Sequence, residues 1–178
     1  MGSMPFLSGS SGRRIVLVAV LVFALDQLTK FLVLQSLPRG AERVIIDGFF
    51  KFVHWGNTGA AWSLFRGNNA VLAVVALIAL LVLFLGRHHF FDARSLLGQS
   101  AFGLLVGGIA GNVTDRLLPS RLEVIDFIYF FVNTATGEIG FPAFNIADSA
   151  ICIGVALIFW ATWKSEHAAK PSEPVSLN

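Results

Sequence analysis

Apolar positions along the chain gather into four blocks: residues 15–37, 70–85, 96–118 and 144–163. A helix needs about 20 residues to cross the hydrocarbon core of a bilayer, so each block predicts a membrane-spanning helix. The second block has no polar side chain and recruits its flanks to reach that length. Two excursions separate the spans, residues 38–69 and 119–142, both rich in β-branched and aromatic residues. Val44-Ile45-Ile46, Phe49-Phe50-Lys51-Phe52-Val53 and residues 124–132 read as strands, with turns at Asp47-Gly48 and Thr136-Gly137. Two spans lie between the excursions, so both emerge on one side, while the termini and the link 86–95 lie on the other. The expected fold is a membrane α-helical protein with four transmembrane helices and a small β-sheet at the membrane surface. Residues 1–14 read as a tag and loose N-terminus (Met1-Gly2-Ser3 precedes a second Met4), 15–163 as a single domain and 164–178 as a tail.

Composition agrees. Of 178 residues, 55% are hydrophobic and 13% charged, with mean hydropathy +0.72, whereas a soluble domain has about 25% charged residues. The same numbers exclude intrinsic disorder. The net charge of +2 comes from scattered residues without a basic stripe, so nucleic acid is not an expected partner. The lone Cys152 permits neither an intrachain disulfide nor a cysteine metal site. A cleaved signal peptide is the rival reading of the first block, but no small-residue cleavage site follows it and Asp26 and Lys30 interrupt it. Charge barely orients the chain. The termini side carries Arg13, Arg14, Arg87, Arg94, Lys164 and Lys170, and the excursion side Arg39, Arg43, Lys51, Arg66 and Arg121, six against five.

Ionisable residues within the spans cost at least ~2.5–3.5 kcal/mol each, so each needs a reason. Asp26 and Lys30 stand i, i+4, acid first, as a self-neutralising pair would. Gly103, Gly107 and Gly111 form a double small-xxx-small repeat that lets another helix approach closely. Asn112, Asp115 and Arg116 follow on one face near the helix end; they are either an interfacial polar terminus or part of a site. Asp126 interrupts the apolar strand 124–132. Asp148 follows Asn145 by three, so Asn145 also reads as an N-cap with Asp148 in the first helical turn. Asp126 and Asp148 map to the same membrane face. Two converging carboxylates there suggest an aspartyl hydrolase in which one member activates water and the other, protonated, polarises a carbonyl. No H-E-x-x-H zinc motif and no G-x-S-x-G serine elbow occurs. A Ser63–Lys30 pair is a second hydrolase option. A small transporter or proton carrier using its intramembrane acids and a non-catalytic assembly factor are the alternatives from other classes.

Five stretches, in order, resemble the bacterial lipoprotein signal peptidases (signal peptidase II). Asp26-Gln27-Leu28-Thr29-Lys30 is similar to D-Q-x-S/T-K. Asn57-Thr58-Gly59-Ala60-Ala61-Trp62-Ser63 is similar to N-T-G-A-A-F-S, with Trp62 for the usual Phe. Residues 107–116 resemble G-G-x-x-G-N-x-x-D-R, residues 124–127 V-x-D-F, and residues 141–149 F-P-x-F-N-x-A-D-S/A. The resemblance implies an intramembrane aspartic endopeptidase that cleaves the signal peptide of a diacylglyceryl-modified prolipoprotein just before the lipidated cysteine. It implies Asp126 and Asp148 as the catalytic pair, and Asn57, Asn112, Arg116 and Asn145 as substrate-binding residues lining the site. Asp26, Lys30, Asp115, Gly107 and Gly111 would be structural or supporting. Its expected partners are the lipidated prolipoprotein and membrane lipids, with no metal or organic cofactor and no obligate protein partner. It places the chain in the bacterial cytoplasmic (inner) membrane as a multi-pass protein, with cytoplasmic termini and the active site and sheet toward the outer leaflet.

Overall fold

The computed structural model describes residues 10–59, 67–90 and 95–168. Of the residues named above, Ala60, Ala61, Trp62, Ser63, Arg66, Arg94 and Lys170 lie outside the described residues, as do residues 1–9 and 169–178. Four helices and four strands follow in the order α1 (Ser10–Ser36), β1 (Glu42–Ile46), β2 (Phe50–Asn57), α2 (Asn69–Phe90), α3 (Leu96–Leu117), β3 (Val124–Thr134), β4 (Gly137–Gly140) and α4 (Ile146–Ala168). All four helices are long and apolar enough to cross a membrane. A 22-residue helix such as α3 rises about 33 Å, matching a hydrocarbon core of about 30 Å. The expected spans are therefore present; α3 matches its apolar block to within a residue, while α1 starts earlier and α2 and α4 run further than theirs. Helix α1 begins at Ser10, where a loose segment was expected, and α4 runs on to Ala168. Such terminal turns need only backbone hydrogen bonds, which the apolar pattern does not report.

Helix α3 lies at the centre and packs on α1, α2 and α4. Its glycines make this possible. A Cβ on Gly107 would stand 2.6 Å from the Ala19 carbonyl oxygen and 2.8 Å from Val22 Cβ, and one on Gly103 would stand 2.7 Å from Val18 Cβ. A Cβ on Gly111 would meet Asp26 Oδ2 at 2.5 Å. The predicted stripe is thus the α1 contact. Gly108, one residue round the helix, does the same for α4, where a Cβ would lie 2.6 Å from the Ala147 carbonyl oxygen. Ile15, Ala101, Phe102 and Leu105 form the buried apolar cluster at the end away from the strands.

The strands form one antiparallel sheet in the order β1-β2-β3-β4. The pairing of β2 with β3 joins the two excursions and shows that they emerge on the same side of the bundle. Between Phe52 and Trp55 the register slips: β2 spends three residues while β3 advances two, from Ile128 to Asp126. Bulges of this kind re-aim side chains beside functional sites. The freed backbone of His54 pairs with the preceding turn, its N–H donating to the Ala41 carbonyl (3.1 Å) and its carbonyl accepting from Gly40 N–H (2.9 Å). Before α4 begins, Phe144 bridges to Ile128 of β3, its N–H donating at 3.0 Å. This stitch fixes where the fourth helix starts relative to the sheet.

Gly107→Leu should lower stability by about 1–3 kcal/mol or more, because the added carbons meet α1 backbone that cannot rotate away. Val106→Leu should be milder. Thermal unfolding in detergent measures both, and equal losses would disprove the assignment of this face.

Candidate active site

The site is built where β2, β3, α3 and α4 meet. Asp126 lies on β3 opposite Trp55, and its diagonal neighbour Asn57 on β2 shares its face of the sheet. Asn57 Nδ2 donates to Asp126 Oδ2 at 2.9 Å, and Asn145 Nδ2 donates to Asp126 Oδ1 at 2.8 Å. Asp148 is held by Asn112 Nδ2 (2.7 Å, to Oδ1) and by the Asn145 backbone N–H (3.2 Å, to Oδ2). Asn145 also caps α4, its side-chain oxygen accepting from Asp148 N–H at 2.9 Å. The reciprocal bonds of Asn145 and Asp148 form a capping box. Cap and site, which the sequence offers as competing readings, are therefore one arrangement. The cap brings Asp148 to the same asparagine that grips Asp126, and Asn145, wholly buried, stands between the two acids.

Burial raises the Asp126 carboxyl to about 7, and the neighbouring Asp148 charge adds to the effect; the bonds from Asn57 and Asn145 oppose it. Asp126 can therefore carry a proton near neutral pH while keeping two polar partners.

A second cluster lies beneath. The Lys30 ammonium reaches Asp26 Oδ2 at 2.8 Å and Asp115 Oδ2 at 2.6 Å, with no side-chain exposure on any of the three. Arg121 closes on the other Asp115 oxygen, and Gln27 Nε2 donates to both acids at 3.1 and 3.2 Å. The expected Asp26–Lys30 pair is thus one arm of a larger network. It touches the first cluster twice. Lys30 Nζ donates to Asn112 Oδ1 at 3.1 Å, and Asp26 Oδ1 accepts from Ala147 N–H at 3.0 Å, one residue before Asp148. Asp26 and Lys30 thereby set both the asparagine that holds Asp148 and the turn that carries it.

Arg116 takes partners of its own. Positions 112, 115 and 116 span an arc of about 100° on a helix, and their side chains separate. Asn112 turns to Asp148, Asp115 to α1, and Arg116 to the first excursion. There its guanidinium donates to the Gly59 carbonyl (2.8 Å) and to Asn69 Oδ1 (2.8 Å), while Asn69 Nδ2 donates back to the Arg116 carbonyl at 3.0 Å. The residues expected to line the site thus all touch protein groups: three asparagines hold the carboxylates, and Arg116 clamps both ends of the segment between β2 and α2. Arg121 and Gln27 are members of the buried network that sequence reasoning did not single out. Their signal was faint, a basic residue in a loop and an amide beside a more conspicuous acid.

The model of the signal peptidase II family matches residues 18–164. The chain belongs to the signal peptidase II family. Among relatives in this family, the lipoprotein signal peptidase of Azoarcus sp. (strain BH72) is 40% identical over 169 residues, covering 89% of each chain. That of Bacillus subtilis (strain 168) is 39% identical over 145 residues, or 80% of this chain and 88% of the relative. A solved bacterial membrane enzyme, determined by the in meso method at 2.3 Å, superposes with a TM-score of 0.75 at 34% identity, covering 89% of this chain and 93% of its own. This signal peptidase II member is therefore a multi-pass membrane peptidase by family and by fold.

Two outcomes test the site's electrostatics. A carboxyl raised from 3.8 to about 7 binds its proton more tightly when folded, so its contribution favours folding below about pH 4 and is lost as pH rises through about 7. Asp126→Asn removes that loss. Its melting temperature relative to the parent should therefore rise between pH 5 and pH 8, and a difference independent of pH would refute the assignment. Lys30→Met should cost on the order of 3–5 kcal/mol by leaving buried carboxylates uncompensated. Lys30→Met with Asp26→Asn should regain part of that, because an amide oxygen still accepts from Ala147. Folded yield and detergent melting curves distinguish these outcomes.

Proposed function

We propose that Asp126 and Asp148 are the catalytic pair of an aspartic endopeptidase that removes the signal peptide of a prolipoprotein bearing diacylglycerol on its cysteine, cutting just before that cysteine. The reading rests above all on one observation: two carboxylates on different elements, Asp126 buried and Asp148 half-buried, are gripped by the same asparagine, Asn145. Family membership supports the substrate class, since the relatives are lipoprotein signal peptidases.

In the reaction, Asp148 accepts a proton from water as the oxygen attacks the scissile carbonyl. Asp126, protonated, donates to the carbonyl oxygen. The tetrahedral intermediate then collapses: the C–N bond breaks, the cysteine nitrogen takes the proton held by Asp148, and one hydroxyl of the gem-diol returns a proton to Asp126 as the carboxyl product forms. Asn57, Asn112 and Asn145 orient the acids, and Arg116 holds the first excursion against α3. The site lies where the sheet meets the helix ends, the depth at which a diacylglyceryl cysteine anchored in one leaflet presents its preceding peptide bond. An extended peptide can add along a strand there. A proton carrier would need acids spread through the bilayer, whereas here Asp26, Asp115, Asp126 and Asp148 sit in one connected cluster toward the sheet. The proposed orientation is cytoplasmic termini, with sheet and site toward the outer leaflet of the bacterial inner membrane.

Asp126→Asn and Asp148→Asn should each abolish cleavage of purified lipidated prolipoprotein while the protein stays folded, and the double variant should be scarcely worse, as for groups acting as a unit. The unlipidated twin should be a poor substrate, and chelators should leave turnover intact. Near-parental turnover by either variant would disprove the pair. In a Cys152→Ser background, a cysteine placed at Arg43 should label from outside intact cells and one at Gly86 should not; the reverse would overturn the orientation.

A further inference from the structure

A groove unused by the site runs beside the last turns of α1. Leu32 and Val33 of α1, Leu37 just past its end, Arg43 of β1, Phe52 of β2 and Phe127 of β3 line it, and its volume is about 280 Å³. Neither Asp126 nor Asp148 lines it, so the groove is separate from the carboxylates. Two hydroxyls on its wall are already spent: Thr29 Oγ1 donates to the Leu25 carbonyl at 2.8 Å and Ser36 Oγ to the Leu32 carbonyl at 2.6 Å. The groove therefore offers an apolar surface with one charge at its mouth.

That mouth opens toward lipid. Val44, Ile45 and Ile46 of the edge strand β1 are 55%, 48% and 51% exposed, although alternate residues face opposite ways. An edge strand in water keeps polar groups on at least one face; apolar groups on both fit contact with acyl chains. Leu28, Phe31 and Leu32 of α1 continue this exposed apolar surface. Arg43, across the strand pair from Phe52, sits at its border. Among the described residues of the excursions, Arg39, Lys51 and Arg121 each have a carboxylate partner, whereas Arg43 has neither ion pair nor hydrogen bond. An exposed guanidinium on an apolar stem at a lipid border reaches for the headgroup layer, where phosphate matches its paired N–H donors.

We propose that this groove binds an anionic glycerophospholipid of the bilayer, one acyl chain entering between α1 and the sheet and the phosphate seated on Arg43. The enclosed volume, just below the ~300–1,000 Å³ of small-molecule sites, takes part of one chain and leaves the rest in the bilayer. A diacylglycerol group has no phosphate and would leave the guanidinium unpaired, so the lipid rather than the acyl chains of a lipidated cysteine is the favoured occupant.

The full chain in detergent, titrated with phosphatidylglycerol and with diacylglycerol of the same chains, tests this by native mass spectrometry. Phosphatidylglycerol should be retained one per chain and diacylglycerol at least tenfold more weakly. Arg43→Gln, at an exposed position outside the catalytic machinery, should weaken phosphatidylglycerol about fivefold, the worth of one basic side chain at an anionic lipid surface. Val33→Phe, which fills the groove, should abolish retention of both; should it fail to fold, Arg43→Gln decides alone. Equal retention by parent and Arg43→Gln, or equal retention of the two lipids, would overturn the proposal. Stoichiometric displacement of phosphatidylglycerol by lipidated prolipoprotein would overturn it in favour of a substrate subsite.

Discussion

Lys30 has no exposure, and its ammonium sits between Asp26 of its own helix and Asp115 of α3. A buried charge without partners costs several kcal/mol, and in a bilayer no water can relieve it. The requirement to keep Lys30 and both acids together therefore restricts how α1 can slide or rotate on α3. Because Lys30 also grips Asn112, and Asp26 also grips Ala147 N–H, that restriction passes to the position of Asp148. The ion cluster is an alignment device whose register the site inherits.

The cluster forms only if the helices come close, and the glycines of α3 allow this. Apolar side chains alone give little preference for one helix arrangement over another in lipid, where tails are as apolar as the helices. Gly103, Gly107 and Gly111 let α1 approach on one side, and Gly108 lets α4 approach on the next. At Gly111 the carboxylate of Asp26 occupies the space a methyl group would need, so the packing stripe and the ion cluster meet at one residue. Small residues set the distance, and charges set the register.

The sheet completes the positioning from outside the bundle. Strand β3 is paired on both sides, and the stitch at Phe144 joins it to the start of α4. Asp126 and Asp148 thus come from elements tied to each other by backbone hydrogen bonds as well as by Asn145. The bulge in β2 puts Asn57 on the face of Asp126, and Arg116 holds the chain beyond Asn57 against α3. Where the same sheet meets the end of α1 it builds the groove that Arg43 helps to line.

Four spans, two excursions on one side and a strand-rich character for both were legible in the sequence, because each follows from local composition and from counting membrane crossings. The acids stood out for the same reason: Asp26, Asp115, Asp126 and Asp148 interrupt apolar runs where an unpaired charge is expensive. The cap at Asn145 was also local, being set by a three-residue spacing. The sequence left open whether Asp148 belongs to the cap or to a site, and in the structure the bonds that make the cap also bring Asp148 to the asparagine that holds Asp126. The enlargement of the Asp26–Lys30 pair by Asp115, Gln27 and Arg121, the divergence of Asn112, Asp115 and Arg116, and the α4 contact at Gly108 were settled by tertiary structure alone. Each depends on which neighbour stands at a given angle around α3, and helical periodicity gives that angle without naming the neighbour.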